Sequence, residues 1–168
     1  LGNVEVNLCR DAEASGSLGP DFTQCVWTLE TLETTQQLGQ HLARHLPKGS
    51  ILLLQGELGA GKTSLVQGLA QACGITEPIT SPTFALAQHY PDGNPPLVHL
   101  DLYRLEGAGS ADELFLQEEE EARAIGALMA VEWPERLGLE LTEAWRLDLS
   151  YLKTGRRAQL TPPKNATT

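Results

Sequence analysis

The chain has 168 residues, of which 41% are hydrophobic and 20% charged, and its formal net charge is −10. This length suffices for one domain with a full core. No apolar run approaches the roughly 20 residues that a membrane helix needs, so we expect a cytoplasmic protein without membrane contact. Because 22 acidic side chains outnumber 12 basic ones, the composition argues against direct nucleic-acid binding, which usually gathers Lys and Arg on one face.

The three cysteines lack C-x-x-C spacing and predict reduced thiols rather than a disulfide framework or a zinc site.

The first predicted elements are a poorly ordered extension, a strand and a helix. Residues 1–21 combine Gly, Ser, Asp and Glu with few apolar side chains, which is typical of poorly ordered termini. Residues 22–29 alternate weakly and predict a short strand. Thr31 is a suitable N-cap for a helix that ends before Pro47. Its apolar stripe, expected to pack in the core, consists of Leu38, Leu42 and Leu46.

The clearest motif is G-x-x-x-x-G-K-T, from Gly56 to Thr63, directly after the apolar run Ile51–Leu54. The run predicts a strand buried on both faces, and the glycines permit a turn whose N–H groups point at phosphate oxygens. Lys62 would place its charge on the β- and γ-phosphates, and the Thr63 hydroxyl is suited to ligate Mg²⁺. An inert glycine-rich turn is the alternative, but an apolar-striped helix ending at Gly74 follows the motif and favours a P-loop.

A loop and a hairpin follow the P-loop helix. The loop Pro78–Phe84 is held by two prolines and carries hydroxyl side chains. In many P-loop enzymes a threonine from such a loop reaches Mg²⁺ or the terminal phosphate, so Ser81 or Thr83 could contact a nucleotide, although an ordinary proline turn fits equally well. Residues 84–90 and 97–102 then predict the two strands of an antiparallel hairpin.

The second hairpin strand ends in His99-Leu100-Asp101-Leu102-Tyr103-Arg104. Alternation places His99, Asp101 and Tyr103 on one face. An acid at the end of a strand beside a P-loop can hold a metal-bound water or orient an attacking one. A single Asp after a strand is also a common cap or turn residue, and both interpretations stay open at this point.

A further helix is predicted from Ser110, because Ser110–Glu113 has the spacing of a capping box. Gly107–Gly109 is the loop before it. The acidic run Glu118–Glu121 on this helix indicates a solvated face, with a docking surface as the alternative.

The segment Leu128–Glu135 carries the second functional motif. A mostly apolar strand that delivers Glu132 at its C-terminal end follows the logic of a Walker B element, in which the acid completes the Mg²⁺ shell opposite Thr63. Glu132 stands where Asp is commoner, and a capping or surface acid is the alternative interpretation.

The last elements are two strands at 145–151 and 156–160, joined by a turn. The whole pattern predicts the α/β class: a single P-loop NTPase-type domain with a central mixed sheet, helices on both faces and antiparallel hairpins. We divide the chain into a poorly ordered N-terminal extension (1–21), a P-loop ATPase domain (22–160) and a frayed, Pro- and Thr-rich tail (161–168).

Taken in order, these motifs resemble those of the TsaE (YjeE) family, over roughly residues 29–160. They read G-E-L-G-A-G-K-T at 56–63, S-P-T-F at 81–84, H-L-D-L-Y-R-L at 99–105 and V-E-W-P-E at 131–135. That family is the small bacterial ATPase of tRNA N6-threonylcarbamoyladenosine (t6A) synthesis. The resemblance implies an ATPase acting with TsaD and TsaB to modify adenosine 37 of tRNAs reading ANN codons. It also implies that hydrolysis resets the complex between rounds.

The resemblance also implies site residues. Catalytic roles fall on Lys62, Asp101 and Glu132, and Mg²⁺ ligands on Thr63 and Glu132. The residues implied to bind ATP are Leu32, Gly59, Ala60, Gly61, Lys62, Thr63, Ser64 and Arg156. Two departures from the family pattern are Glu57, where Asp is common, and the acid-rich segment 110–126, where the family tends to show a Gly-containing helix-turn.

Other functions remain alternatives. A P-loop kinase that phosphorylates a small metabolite would need an Arg-bearing lid, for which the sequence offers no clear segment. A GTPase is disfavoured because the guanine-reading N-K-x-D signature is absent. A nucleotide-gated adaptor, whose bound state matters and whose turnover is incidental, overlaps with the family role and is left open by the sequence.

Overall fold

The computed structural model describes residues 25–80 and 86–164. The predicted extension, the start of the first predicted strand, and the candidate nucleotide contacts Ser81 and Thr83 lie outside the described residues.

The described residues form seven strands, three α-helices and one short 3-10 turn. The strands are β1 (Cys25–Leu29), β2 (Ile51–Gln55), β3 (Ala87–Tyr90), β4 (Leu97–Asp101), β5 (Leu128–Glu132), β6 (Trp145–Tyr151) and β7 (Arg156–Thr161). The helices are α1 (Leu32–His45), α2 (Lys62–Ala72) and α3 (Ala108–Ile125), and the 3-10 turn covers Pro134–Arg136. None of the described helices is long and apolar enough to cross a membrane.

All seven strands belong to one mixed sheet, in the order β1-β7-β6-β2-β5-β4-β3. The four central strands β6, β2, β5 and β4 are parallel to one another. β3 and β7 run antiparallel to their neighbours and form the two predicted hairpins with β4 and β6. β1 is antiparallel to β7 and so runs in the same direction as the central strands. Five strands therefore end at the same edge of the sheet, where ligands of open α/β sheets bind.

Helices cover both faces of this sheet, as predicted. Successive residues of a strand point to opposite faces, and β2 shows this clearly: Leu52 and Leu54 belong to the core beneath α1 and α2. Leu53 belongs to the other core, which includes Phe115 of α3. The α/β class and the architecture predicted from the sequence are confirmed.

The helix that follows the P-loop is held by unusually close contact with α1. A methyl group at Gly68 of α2 would lie 2.0 Å from the backbone oxygen of Gln36, and one at Gly39 of α1 would lie 2.2 Å from the oxygen of Leu65. The Gln36 side-chain amide also donates to the Gln67 side chain at 2.9 Å. Only glycine at both positions allows the two backbones to approach this closely.

The start of α1 follows the sequence prediction. Thr31 is the N-cap, its hydroxyl accepts from the backbone N–H of Thr34, and the Thr34 hydroxyl accepts from the backbone N–H of Thr31. These two reciprocal hydrogen bonds satisfy the backbone N–H groups of Thr31 and Thr34. They fix the backbone at Leu32, where the chain passes from β1 into α1. The predicted apolar stripe is buried throughout.

Three local predictions need correction. α3 begins at Ala108 rather than Ser110, because Gly107 adopts φ 90° and allows the helix to start at once; Ser110 falls inside the first turn. The acidic run is not uniformly solvated, since Glu118 is buried and bonds His89. Cys25 is disulfide-bonded, whereas Cys73 is free and its pKa is raised by burial. Disulfide formation depends on spatial proximity, which sequence spacing does not reveal.

Candidate functional site

A cavity of about 560 Å³ opens where the parallel strands end. Its wall contains every site residue that the family resemblance implies: Leu32, Gly59, Ala60, Gly61, Lys62, Thr63, Ser64, Asp101, Glu132 and Arg156. These residues come from five separate parts of the chain, and the fold brings them together. Their individual roles in binding and catalysis stay predictions.

The P-loop forms one wall of the cavity. Its glycines leave the backbone there largely uncovered by side chains. Gly59 and Gly61 have φ values of 77° and 108°, in the left-handed region that favours glycine. Gly61 is the N-cap of α2, and no side chain of the described residues caps this helix terminus. The first-turn N–H groups of α2 are therefore available to oxygen atoms of a ligand.

Lys62 is held in place by contacts within the protein. The residue is only 5% exposed, its Nζ donates to the backbone oxygen of Gly56, and Nζ lies 3.7 Å from the centroid of the Trp133 ring. The pKa of Lys62 is lowered, because burial outweighs the negative charges of Glu132, Glu135 and Asp101, which raise it in that order. The ammonium group is thus desolvated but surrounded by acids that favour its charged form.

Two acids stand side by side on the cavity floor. Asp101 at the end of β4 and Glu132 at the end of β5 are partners in the parallel register, and they are 7% and 3% exposed. Asp101 Oδ1 accepts from the backbone N–H of Tyr103 at 3.0 Å. Glu132 Oε2 lies 2.6 Å from Nε2 of His99. The sequence analysis placed Asp101 at the end of a hairpin strand. In the structure this strand, β4, pairs with β3 on one side and with the Walker B-like strand β5 on the other.

The β6–β7 hairpin fastens the P-loop from the opposite side. The Tyr151 hydroxyl donates to the backbone oxygen of Leu58 at 2.7 Å. Arg156 donates to the backbone oxygen of Gly59 at 3.3 Å, and its guanidinium lies 4.2 Å from the centroid of the Tyr151 ring. A methyl group at Gly59 would approach the Tyr151 hydroxyl to 2.8 Å. The hairpin and the P-loop therefore constrain each other's positions.

Sequence reasoning gave no role to several side chains that shape the site. Trp133 adopts φ 59°, the left-handed region that non-glycine residues rarely occupy, and its ring packs on Tyr103 at 4.8 Å between centroids. Tyr151 and His99 contact the P-loop and Glu132, respectively. The sequence signals were the position of Trp133 directly after Glu132 and the alternation that places His99 and Tyr103 on the face of Asp101; the contacts themselves depend on strand order.

Comparisons of the sequence with known proteins all match the same family. A sequence model of the family described as threonylcarbamoyl adenosine biosynthesis protein TsaE matches residues 29–159. The tRNA threonylcarbamoyladenosine biosynthesis protein TsaE of Synechocystis sp. is 54% identical over 112 residues, covering 65% of this chain and 69% of the relative. The protein of that name from Nostoc sp. is 46% identical over 134 residues, covering 77% of this chain and 81% of the relative.

The fold agrees with a solved structure. The crystal structure of YdiB from Bacillus subtilis matches with a TM-score of 0.66 and 28% sequence identity, covering 84% of this chain and 87% of YdiB. The family match spans the segment that contains β2, α2, β4 and β5, which supply the P-loop and both floor acids. On the strength of that match, this chain belongs to the TsaE family.

Proposed function

We propose that this protein is a Mg²⁺-dependent ATPase that is required for threonylcarbamoylation of adenosine 37 in tRNAs reading ANN codons. The relatives from Synechocystis and Nostoc carry the name of this biosynthesis, and a nucleotide-binding role accompanies the family. The single observation that carries the proposal is the cavity that combines a P-loop, two buried acids and an arginine.

One part of the cavity carries the groups needed to bind the phosphates of a nucleoside triphosphate. Side chains at Gly59 and Gly61 would be strained by their positive φ values, so the loop presents backbone N–H groups rather than side chains. Lys62 contributes a buried positive charge that does not have to be recruited from solvent. Multiple N–H donors and one fixed ammonium are the donor set that phosphate oxygens require.

The cavity also fits a divalent cation. Thr63 offers a hydroxyl oxygen and Glu132 a carboxylate, and both line the cavity; Mg²⁺ prefers such hard oxygen ligands and usually retains waters. When bound there, Mg²⁺ would neutralise charge that develops on the β- and γ-phosphates. We assign Thr63 and Glu132 to the metal and Lys62 to the phosphates.

The remaining roles follow from position. Asp101, beside Glu132, orients the attacking water through its carboxylate. Arg156 contacts the nucleotide by exchanging its bond to Gly59 for one to the ligand. Leu32 is 64% exposed at the start of α1 and lines the cavity, where it offers an apolar surface to the adenine.

We assign TsaD and TsaB as partners, with tRNA met only through their complex. The net charge of −10 opposes direct binding to a polyanion. Among the described residues that line the cavity, the cations are Lys62 and Arg156, and Arg156 is bonded to the loop backbone. Charge on the γ-phosphate is therefore incompletely neutralised in the isolated protein, and partners should accelerate turnover.

The test determines which product receives the γ-phosphate of ATP. With γ-labelled ATP and Mg²⁺, label should appear as inorganic phosphate, and t6A should form on tRNA only when this protein joins TsaD, TsaB and the threonylcarbamoyl donor. Label on a small acceptor molecule would instead indicate the kinase alternative. Full, repeated t6A formation by a variant that binds ATP but does not hydrolyse it would favour the nucleotide-gated adaptor.

A further inference from the structure

The most enclosed polar contact near the site joins His99 and Glu132. His99 lies in the middle of β4 and is fully buried, and its Nε2 is 2.6 Å from Oε2 of Glu132. In the described part of the chain, Nδ1 of His99 is buried and has no hydrogen-bond partner. The bond to Glu132 is thus the polar contact that the described structure provides for this imidazole.

Strand register explains how the imidazole reaches the carboxylate. The residue paired with His99 on β5 is Ala130, and Glu132 lies two residues further along the same strand. Residues two apart share a face, so His99, Ala130 and Glu132 lie on the same side of the sheet. Because Ala130 carries only a methyl group, space remains above it for the ring to extend toward Glu132.

The chemistry of the carboxylate determines which atom donates the hydrogen bond between His99 and Glu132. An ionised carboxylate only accepts hydrogen bonds, so Nε2 of His99 must carry the proton. In the neutral imidazole with this tautomer, Nδ1 carries a lone pair rather than an N–H. Glu132 thus bonds His99 through one carboxylate oxygen, and the same residue lines the cavity.

We propose that His99 is a positioning residue that holds the Glu132 carboxylate in the orientation needed for Mg²⁺. The inference rests on the proposed function, in which Glu132 is a metal ligand. Partners that bond a metal-ligating side chain typically change metal affinity about 10- to 100-fold when removed. His99 is not among the residues that line the cavity, so its effect would pass through Glu132.

The test measures ATP affinity by calorimetry with Mg²⁺ and with a chelator, and uses the ratio of the two dissociation constants. His99→Leu keeps much of the side-chain volume but removes the donor, and we expect it to reduce this ratio about 10- to 100-fold with little change in chelator. His99→Gln places an amide N–H near the position of Nε2 and should restore most of the ratio. His99→Asn, whose amide is one carbon shorter, should not.

A control separates positioning from general destabilisation. Val98→Ala removes a buried side chain from the same strand but from the opposite core, so it should lower stability while leaving the ratio unchanged. Combining His99→Leu with Glu132→Ala should cause no further loss beyond Glu132→Ala alone.

The outcomes distinguish this inference from the proposed function. If ATP affinity of the unaltered protein does not depend on Mg²⁺, the metal part of the proposed function fails. If it does depend on Mg²⁺ but His99→Leu has the same ratio, or loses affinity equally with and without Mg²⁺, the positioning role is overturned. Should His99→Leu fail to fold, equal ratios for the Gln and Asn variants would overturn it.

Discussion

Substituting Gly68 by alanine tests whether close contact between α1 and α2 sets the position of the P-loop helix. The added methyl would lie 2.0 Å from the backbone oxygen of Gln36, where ordinary contact begins at 3.4 Å, and its next neighbours are also Gln36 backbone atoms. Backbone cannot rotate away as a flexible side chain can, so the two helices must separate. Overpacking of this kind costs about 1–3 kcal/mol, and separation also strains the Gln36–Gln67 bond, worth about 1 kcal/mol.

Alanine offsets part of this cost because it favours helix over glycine by about 1 kcal/mol. The net expectation is a loss of about 2 kcal/mol in the free energy of unfolding. Urea denaturation followed by tryptophan fluorescence measures it directly. Gly109→Ala in α3 is the matched control, because a methyl there meets nothing within 4 Å, and it should leave stability unchanged or slightly raised. If Gly68→Ala is as stable as Gly109→Ala, the close approach of the helices is not a packing constraint and the reasoning is wrong.

Three further predictions concern the chemistry of the cavity. Lys62→Ala should abolish ATP turnover and weaken ATP binding by about 2 kcal/mol or more in calorimetry, since a charge-assisted phosphate contact is lost, while the exposed Lys48→Ala should change neither. The isolated protein should release phosphate slowly and accelerate with TsaD and TsaB; turnover of tens per second by the protein alone would contradict partner dependence. Glu132→Ala should weaken Mg²⁺-dependent ATP binding and turnover together, whereas Asp101→Ala should lower turnover and tRNA modification with ATP binding nearly intact. Equal losses of Mg²⁺-ATP affinity in the last two variants would show that both acids serve the metal.

The sequence predicted those parts of the fold whose signals are local. The apolar run of β2, the glycine pattern of the P-loop and the stripe of α1 each specify one element from neighbouring residues, and the structure has all three. The two acids were identified because each ends a buried strand. For Asp101 a cap or turn residue stayed an open alternative, and its place beside Glu132 became clear only from the parallel pairing of β4 with β5.

The contacts that sequence reasoning missed depend on which strands are neighbours. Placing β4 beside β5 sets His99 against Ala130 and within reach of Glu132. Placing β6 beside β2 brings Tyr151 to the backbone of Leu58, 93 residues away in the chain. Nothing local to any of these residues signals such contacts, because a strand of alternating side chains can pair with any other. The start of α3 was misplaced for a different reason: capping-box spacing is a weak local signal, and the positive φ of Gly107 overrode it.

The order of the strands also agrees with the way in which the proposed nucleotide would lie in the cavity. β1 and the four central strands all finish at one edge, and β7 begins there. Leu29 at the end of β1 and Arg156 at the start of β7 are register partners, which places the residues before α1 next to the arginine. The P-loop at the end of β2 and the acids at the ends of β5 and β4 follow along the same edge. A ligand lying along this edge would therefore meet Leu32 and Arg156 first, the phosphate-binding loop next and the carboxylates last, which is the order in which ATP carries its base, its phosphates and its metal.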